Sequence, residues 1–455
     1  MCSAISDRGL LYVPVEIKHR EMLSRLFLGC CAAEAGFAVV IGRHSELDRY
    51  LDAFPVGLFF DKCLSVSKKR SFDRRLGRGF TLTSIDEEAG GVFSMPQFIR
   101  ARYSQEYLKK SALTFFWSQK HLEIVQKYFP DAAIASAVVG NPRFDLCRPD
   151  LRKLFEASAA AIRERYGDFI LLVSNFGHAN YFAGHAALVD LARKNGLFVG
   201  GAEYQNYMGR VEHKARNLEA YANVLPAVRA AFPELAIVVR PHPAERVETW
   251  LKIAQPIERC HVIYEGEANP WILASRAMFH HGCTTGLEGF LLDKPSVSFH
   301  PHPHEEYDTE PSVSVSLMAR DPEELTSKLR QIVEDSAQAL PSPAPLHNYV
   351  RIDDGYAADR IVAEMLHCAK GQGRLDFSLG NTAYWRKRFD DGWRSWREKL
   401  PSPRRIRKAK MSKFPLLAAN EISSVISSMS DLTGRFRDID ARPIAHSTYL
   451  LRQDS

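Results

Sequence analysis

The sequence predicts two Rossmann-like α/β domains facing a cleft, followed by a basic, aromatic C-terminal extension. Three observations lead to that architecture. The length of 455 residues exceeds what one ordinary core accommodates and suits two domains. Short apolar runs alternate with helical stretches in two successive series, which is the pattern of parallel sheets covered by helices. Composition then changes near residue 372, after which Trp385, Trp393 and Trp396 supply three of the six tryptophans. The expected division is a first domain over 1–147, a crossing segment over 148–168, a second domain over 169–371 and a helical extension over 372–455.

The first series opens with GLLYVPV at 9–15, read as a strand. A helix follows, because Leu23, Leu26, Phe27 and Cys30 recur at i, i+3, i+4 and i+7, and Gly36 is placed to end it. FAVVIG at 37–42, VGLFF at 56–60, FTLTSI at 80–85, LTFFW at 113–117 and IASAVV at 134–139 continue as strands. The charged, Ala-rich stretch from Arg148 to Asp168 reads as the crossing helix. The second series runs through FILLVS at 169–174, LAIVVR at 235–240, HVIYE at 261–265, AMFHH at 277–281 and PSVSF at 295–299. At 321–335 the helix signals are explicit: Asp321 caps, Pro322 sits in the first turn and Glu324 completes a capping box.

Composition also excludes several classes. The chain is 45% hydrophobic and 25% charged, as in packed globular proteins. Its eight cysteines are scattered without a CxxC pair, so neither a disulfide framework nor a zinc module is indicated, and a reducing, cytoplasmic setting is expected. No stretch of about 18 apolar residues and no signal peptide is apparent. The net charge of +6 is regional: residues 386–413 alone carry twelve Lys/Arg against three acids, leaving the remainder net acidic. A nucleic-acid partner is therefore not expected.

Ligands of open parallel sheets bind beyond the carboxyl ends of the strands, so the loops there hold the candidate residues. In AMFHHGCTTGLEGFLLDKPSVSF, residues 277–299, a strand ends in a glycine-hydroxyl loop that opens a helix. Gly282 and Gly286 would let a ligand approach the backbone, and Thr284, Thr285 and the helix N–H groups would hold phosphate oxygens. Glu288 is suited to accept from a ribose diol. The plain alternative is a capped strand-to-helix turn. In VVRPHPAERVETW, residues 238–250, Pro241 and Pro243 fix Arg240 and His242 at a strand end, where an imidazole can donate to or protonate a phosphate. In TSIDEEAGGVF, residues 83–93, Asp86, Glu87 and Glu88 place a candidate base at the cleft, unless the run is simply a solvated loop. Arg143 and Asp145 in GNPRFD are expected to pin the crossing. Asn175 and His178 in SNFGHAN either face the cleft or cap a helix. His300, His302 and His304 are interleaved with prolines and lack a matching carboxylate cluster, so no metal is expected.

In order and spacing, YVPVEIKHRE at 12–21, IDEEAGG at 85–91, GNPRFD at 140–145, LLVSNFGHAN at 171–180, RPHP at 240–243 and HHGCTTGLEGFLLDKPSVSF at 280–299 form a set. With it the chain resembles the bacterial surface carbohydrate biosynthesis proteins, a family similar in pattern to CMP-dependent Kdo- and sialyl-type glycosyltransferases. The resemblance covers roughly residues 10–345 and implies a GT-B-type, metal-independent glycosyltransferase with no cofactor beyond its nucleotide-sugar donor, CMP-linked by preference. It implies that the base lies among Asp86, Glu87 and Glu88, that His242 and Pro243 contact the nucleotide phosphate, and that Thr284 and Thr285 supply hydroxyl contacts. Ala89 stands where the transferase motif has glycine directly after the acids, so the identity of the base stays open. A glycan or lipid-linked acceptor would be the second partner. A nucleotide-sugar epimerase or hydrolase, a glycerophosphotransferase and a non-catalytic scaffold remain as alternatives. The tail, with its tryptophans and Arg404, Arg405, Arg407 and Lys408, reads either as a peripheral contact with an anionic membrane or as a helix packed back on the domains.

Overall fold

The computed structural model describes residues 2–6, 8–94, 96–308, 311–352, 355–369, 375–379, 384–391 and 418–453. In chain order its strands are β1 (Cys2–Ser6), β2 (Leu10–Val15), β3 (Ala38–Arg43), β4 (Leu58–Asp61), β5 (Thr81–Ile85), β6 (Leu113–Phe116), β7 (Ser136–Val138), β8 (Phe169–Val173), β9 (Ala236–Arg240), β10 (Cys260–Val262), β11 (Ala277–His280), β12 (Ser296–Phe299), β13 (Leu317–Ala319), β14 (Leu375–Leu379), β15 (Ile439–Ala445) and β16 (Thr448–Gln453). They form one sheet ordered β15-β16-β3-β2-β4-β5-β6-β7, a second ordered β10-β9-β8-β11-β12-β13, and a small pair β1-β14. The strands from β3 through β7 pair parallel, as do all neighbours in the second sheet. This is the predicted pair of α/β sheets.

The sequence explains the local choices. All six residues of β2 are buried, as expected for a parallel strand covered on both faces. The helix Lys18–Glu34 buries Leu26, Phe27 and Cys30 against the first sheet. Gly36 ends it at φ +94°, a conformation that costs a glycine nothing. The helix Pro322–Glu334 begins as read, with the Asp321 carboxylate accepting from the Glu324 N–H at 2.8 Å.

The chain crosses to the second sheet through the 3-10 turn Leu151–Phe155 and the helix Glu156–Tyr166. It later returns. The helix Ala357–Cys368, included in the expected second domain, buries Ala358, Ile361, Val362 and Met365 in the same cluster as Phe27 and Cys30 of the first.

The expectation of a helical extension beyond 372 needs correction. The helix Ala419–Thr433 is present, but after Gly434 the chain forms the β15-β16 hairpin, and β16 pairs antiparallel with β3 at the edge of the first sheet. Its Tyr449, Leu450 and Leu451 are buried there, so the hairpin covers an edge that would otherwise expose unpaired backbone groups. Trp393, Trp396, Arg404, Arg405, Arg407 and Lys408 lie outside the described residues. Among the described residues no helix is long and apolar enough to cross a membrane.

Candidate functional site

The two sheets meet with the loop after β5 facing the loop after β11. The approach is close: a Cβ added to Gly90 would lie 2.9 Å from the Thr284 Cγ2. One further tie joins the domains, and another fastens the returning helix to the first. Arg143 Nε reaches Glu288 Oε1 at 3.0 Å, both side chains being buried. Asp145 accepts from the Ala357 and Ala358 N–H groups at 2.8 and 2.9 Å, capping the returning helix, while burial pushes its carboxyl up to about 7. Arg143 of GNPRFD thus pins the two domains together, while Asp145 instead anchors the helix that returns to the first domain. Glu288 is occupied by Arg143 and is not presented to a ribose.

The three acids after β5 have different surroundings. Asp86 is buried and held by Arg102, whose Nε lies 3.0 Å from Oδ1, and burial raises its pKa against that attraction. Glu87 is buried and accepts from Asn141 Nδ2 at 3.2 Å, with Arg25 Nη2 at 2.8 Å from its other oxygen. Burial would raise the Glu87 carboxyl, but Arg25 and Arg143 prevail and lower it. Glu88 alone of the three has a side chain substantially exposed, at 37%, between Arg20 at 3.2 Å and Arg102 at 3.1 Å. Arg102 first, then Arg20, Lys62 and His242, hold its carboxyl well below the usual range. The acids therefore divide into two internal ion-pair members and one cleft-facing carboxylate. A base must reach its proton, which removes Asp86 and Glu87 as candidates in this arrangement.

On the opposite wall, His242 sits after β9, half-buried. Its Nδ1 accepts from the Ala244 N–H at 3.1 Å, so the neutral ring carries its proton on Nε2. Pro243 is exposed, and its carbonyl accepts from the Tyr264 hydroxyl at 3.3 Å. Arg240 does not point to a phosphate position: its guanidinium donates to the Glu265 and Gly266 carbonyls at 2.8 and 3.1 Å and lies over the Trp271 ring. Burial lowers its pKa to about 10. Asn175, after β8, donates to the Gly282 carbonyl at 3.1 Å and so ties two post-strand loops together. Gly282 adopts φ +60°, consistent with the predicted tight loop. Gly286 serves packing, because a Cβ there would lie 2.4 Å from His280 Nε2. Thr284 is half-buried beside Gly90, while Thr285 is buried and accepts from the Cys283 thiol at 3.3 Å.

Several residues that shape this wall were not singled out from sequence. Glu245 is the hub of the RPHP turn: its carboxylate accepts from Ser174 Oγ at 2.6 Å, the Phe176 N–H at 3.0 Å, the His242 N–H at 3.1 Å and Trp250 Nε1 at 2.8 Å. The 31-residue helix Gly201–Ala231 buries Arg210, His213, Lys214 and Asn217. That i, i+3, i+4, i+7 stripe of polar residues was the available signal. His178 is half-buried near Arg210, Lys214 and His242, and desolvation foremost pushes it down to about 3.

The histidines also form a cluster. His213, His281 and Asp308 each bring a ligand-capable atom within 4.8 Å of the others. His300, from HPHPH, joins them with Nδ1 3.1 Å from Asp308, whereas the His302 and His304 N–H groups donate to Asn217 and Asp308. The donor chemistry does not favour a metal. Lys214 Nζ, which has no acceptor lone pair when charged, donates to His281 Nδ1 at 2.9 Å, so the neutral ring keeps its proton on Nε2, 3.7 Å from Asp308. The carboxylate already accepts from His213 at 2.9 Å and the His304 N–H at 2.8 Å. Burial alone would raise Asp308, but the hydrogen bonds from His213 and His300 hold it well below its usual range.

Two Rossmann-like domains, a crossing helix and a cleft walled by post-strand loops define a GT-B-type fold. No known family's sequence pattern matches the chain, and no curated protein matches it either. Similarity appears among solved structures. The wall teichoic acid polymerase TagF, in a variant soaked with CDPG, aligns with a TM-score of 0.51 at 8% identity over 81% of this chain and 90% of that one. Another variant of the same polymerase gives 0.50 at 9% identity with the same coverage. The UDP-GlcNAc 2-epimerase of Methanocaldococcus jannaschii, in complex with UDP-GlcNAc and UDP, gives 0.49 at 12% identity over 79% of this chain and 99% of that one. At such identities the likeness establishes the fold alone.

Proposed function

We propose that the chain is a glycosyltransferase that takes a sugar from a nucleotide-activated donor to a surface polysaccharide or lipid-linked acceptor at the cytoplasmic face of the inner membrane. The observation that carries this reading is the pairing across the cleft of Glu88, the most exposed of the three acids after β5, with His242, whose neutral ring carries its proton on Nε2. In this reading an acceptor hydroxyl attacks the anomeric carbon and loses its proton to Glu88, while the bond to the donor phosphate breaks. His242 and the Thr284 hydroxyl stabilise the departing phosphate, a role that preorganised donors fill without a metal. Arg20 and Arg102 make Glu88 a weak base at rest, so acceptor binding would have to draw at least one guanidinium away. The favoured donor remains CMP-linked, Kdo- or sialic-acid-type, on the strength of the sequence resemblance.

A second reading is glycerophosphotransfer. The arginine-locked acids favour it, because a histidine could then serve as the base in place of Glu88. Purified protein incubated with CMP-Kdo, CMP-sialic acid, UDP-sugars and CDP-glycerol separates the readings through the donor consumed. Glu88→Gln should abolish sugar transfer while nucleotide affinity is kept. Full transfer by a folded Glu88→Gln protein would refute Glu88 as the base.

A further inference from the structure

Residues 384–391 form a helix with two unlike faces. The inner face is fastened to the first domain. Tyr384 Oη donates to the Ile444 carbonyl at 2.6 Å, Lys387 Nζ donates to the Arg49 carbonyl at 2.6 Å, and the buried Asp391 carboxylate accepts from Arg49 and from the Tyr50 hydroxyl. The outer face carries Trp385 and Phe389, one turn apart and therefore adjacent, with 55% and 83% of their surface exposed. A helix anchored so firmly on one side holds these rings outward as a fixed pair. Large aromatic groups held in water by a rigid element mark a surface that something else covers.

Charge indicates what covers it. Arg386 and Arg388 flank the two rings, and Arg74, Arg49 and Arg78 of the first domain lie close enough to Lys387 to lower its pKa, after burial and against Asp52, which raises it. The sequence that follows, 392–413, adds nine Lys/Arg against one glutamate. Indole and phenyl rings among basic side chains match the boundary of an anionic bilayer, where rings enter the headgroup layer and cations meet lipid phosphates. A single-stranded nucleic acid also uses rings and cations, but it stacks bases on rings set within a groove that tracks its backbone. Phe389 projects.

We propose that the outer face of this helix docks the protein on an anionic lipid surface, with Trp385 and Phe389 inserted and the surrounding Lys/Arg providing the electrostatic attraction. This surface belongs to the first domain, which also carries Glu88, the base in the reading above. It is compatible with a lipid-linked acceptor, yet it does not depend on which reaction the cleft performs.

The test is sedimentation of the full chain with phosphatidylcholine vesicles, with and without phosphatidylglycerol, at low and high salt. The parent should sediment with the anionic vesicles and be released by salt. Trp385→Ser combined with Phe389→Ser should lower the partition coefficient at least about tenfold, given the apolar surface two rings would bury. Val199→Ser, at a second-domain position 83% exposed, should partition like the parent. Turnover of soluble donor should be the same in all three proteins, so loss of docking and loss of activity are read separately. A parent that stays in the supernatant, a double variant that partitions unchanged, or binding to oligo-RNA with none to vesicles overturns the proposal.

Discussion

The two walls of the cleft are built from opposite electrostatics. On the first-domain side, Asp86, Glu87 and Glu88 are charged groups wired to Arg20, Arg25 and Arg102. On the second-domain side, the half-buried His178 and the fully buried His280 and His281 are kept neutral, with desolvation pushing the first two down to about 3. One wall is held together by its ion pairs. The other is held by packing, by neutral rings and by hydrogen bonds gathered on the Glu245 and Asp308 carboxylates. The same kind of substitution should therefore damage folding on one wall and chemistry on the other.

The largest expected effect is on stability. Glu87→Gln keeps the hydrogen bond from Asn141 but leaves the buried Arg25 guanidinium with only the Phe60 ring, 4.4 Å away, as compensation. Breaking one partner of a buried pair costs about 3–5 kcal/mol. Denaturant unfolding of this variant should show a loss of that order, and a loss below about 1 kcal/mol would mean the acidic wall is not stabilised as described.

His242→Ala is the counterpart on the other wall. It removes a half-buried side chain at a strand end facing the cleft, so the fold should persist while turnover falls about 10²–10³-fold. Near-normal kcat in a folded variant would take His242 out of the reaction.

Acid should separate the walls by pH window. A histidine with an unfolded pKa near 6.5 and a folded value near 3 takes up its proton only on unfolding. Stability from His178 and His280 is therefore complete above about pH 6.5 and is lost as pH falls toward 3. Glu87 and Glu88 have lowered carboxyls, so their contribution is complete above the ordinary glutamate range near 4.3 and is lost only below it. Asp145, which burial lifts to about 7, works in the opposite sense and adds stability as pH falls from about 7 toward 4, offsetting part of the histidine loss. Thermal melts should therefore fall only gently between about pH 6.5 and 4.5 and steeply below about 4.5, where the offset is complete and the glutamates join the loss. A melting temperature that stays level to about pH 3 contradicts the neutral-histidine account.

The smallest effect belongs to the threonine loop. Thr284→Val with Thr285→Val preserves shape and removes one half-buried and one buried hydroxyl. Each lost hydrogen bond is worth roughly 0.5–1.5 kcal/mol, so CMP affinity should fall by a few-fold to about a hundredfold in calorimetry. Unchanged affinity would make this loop structural, as Gly286 already is.

Much of this was legible in the sequence because it is local. The strand runs, the Gly36 stop, the Asp321 cap, the His242 turn and the Gly282 loop each follow from a few neighbouring residues. Glu288 and Arg240 were misread for one shared reason: a charged residue beside a candidate site looks available until its partner is known. Arg143 stands far from Glu288 in sequence, and Arg240 is satisfied by backbone carbonyls, which carry no side-chain signature.

The sequence by itself determined the two parallel sheets, their order along the chain and the set of loops from which a site could be built, because hydrophobic periodicity and turn chemistry act over a few residues. Only the tertiary structure decided which of three consecutive acids faces the cleft, that Arg210 and Lys214 stand behind His178, and that the last strands close the edge of the first sheet. Those outcomes depend on which charges and edges meet after the chain has crossed twice between domains. Burial then makes each meeting obligatory, since an unpaired charge or an open strand edge costs far more inside the protein than in water.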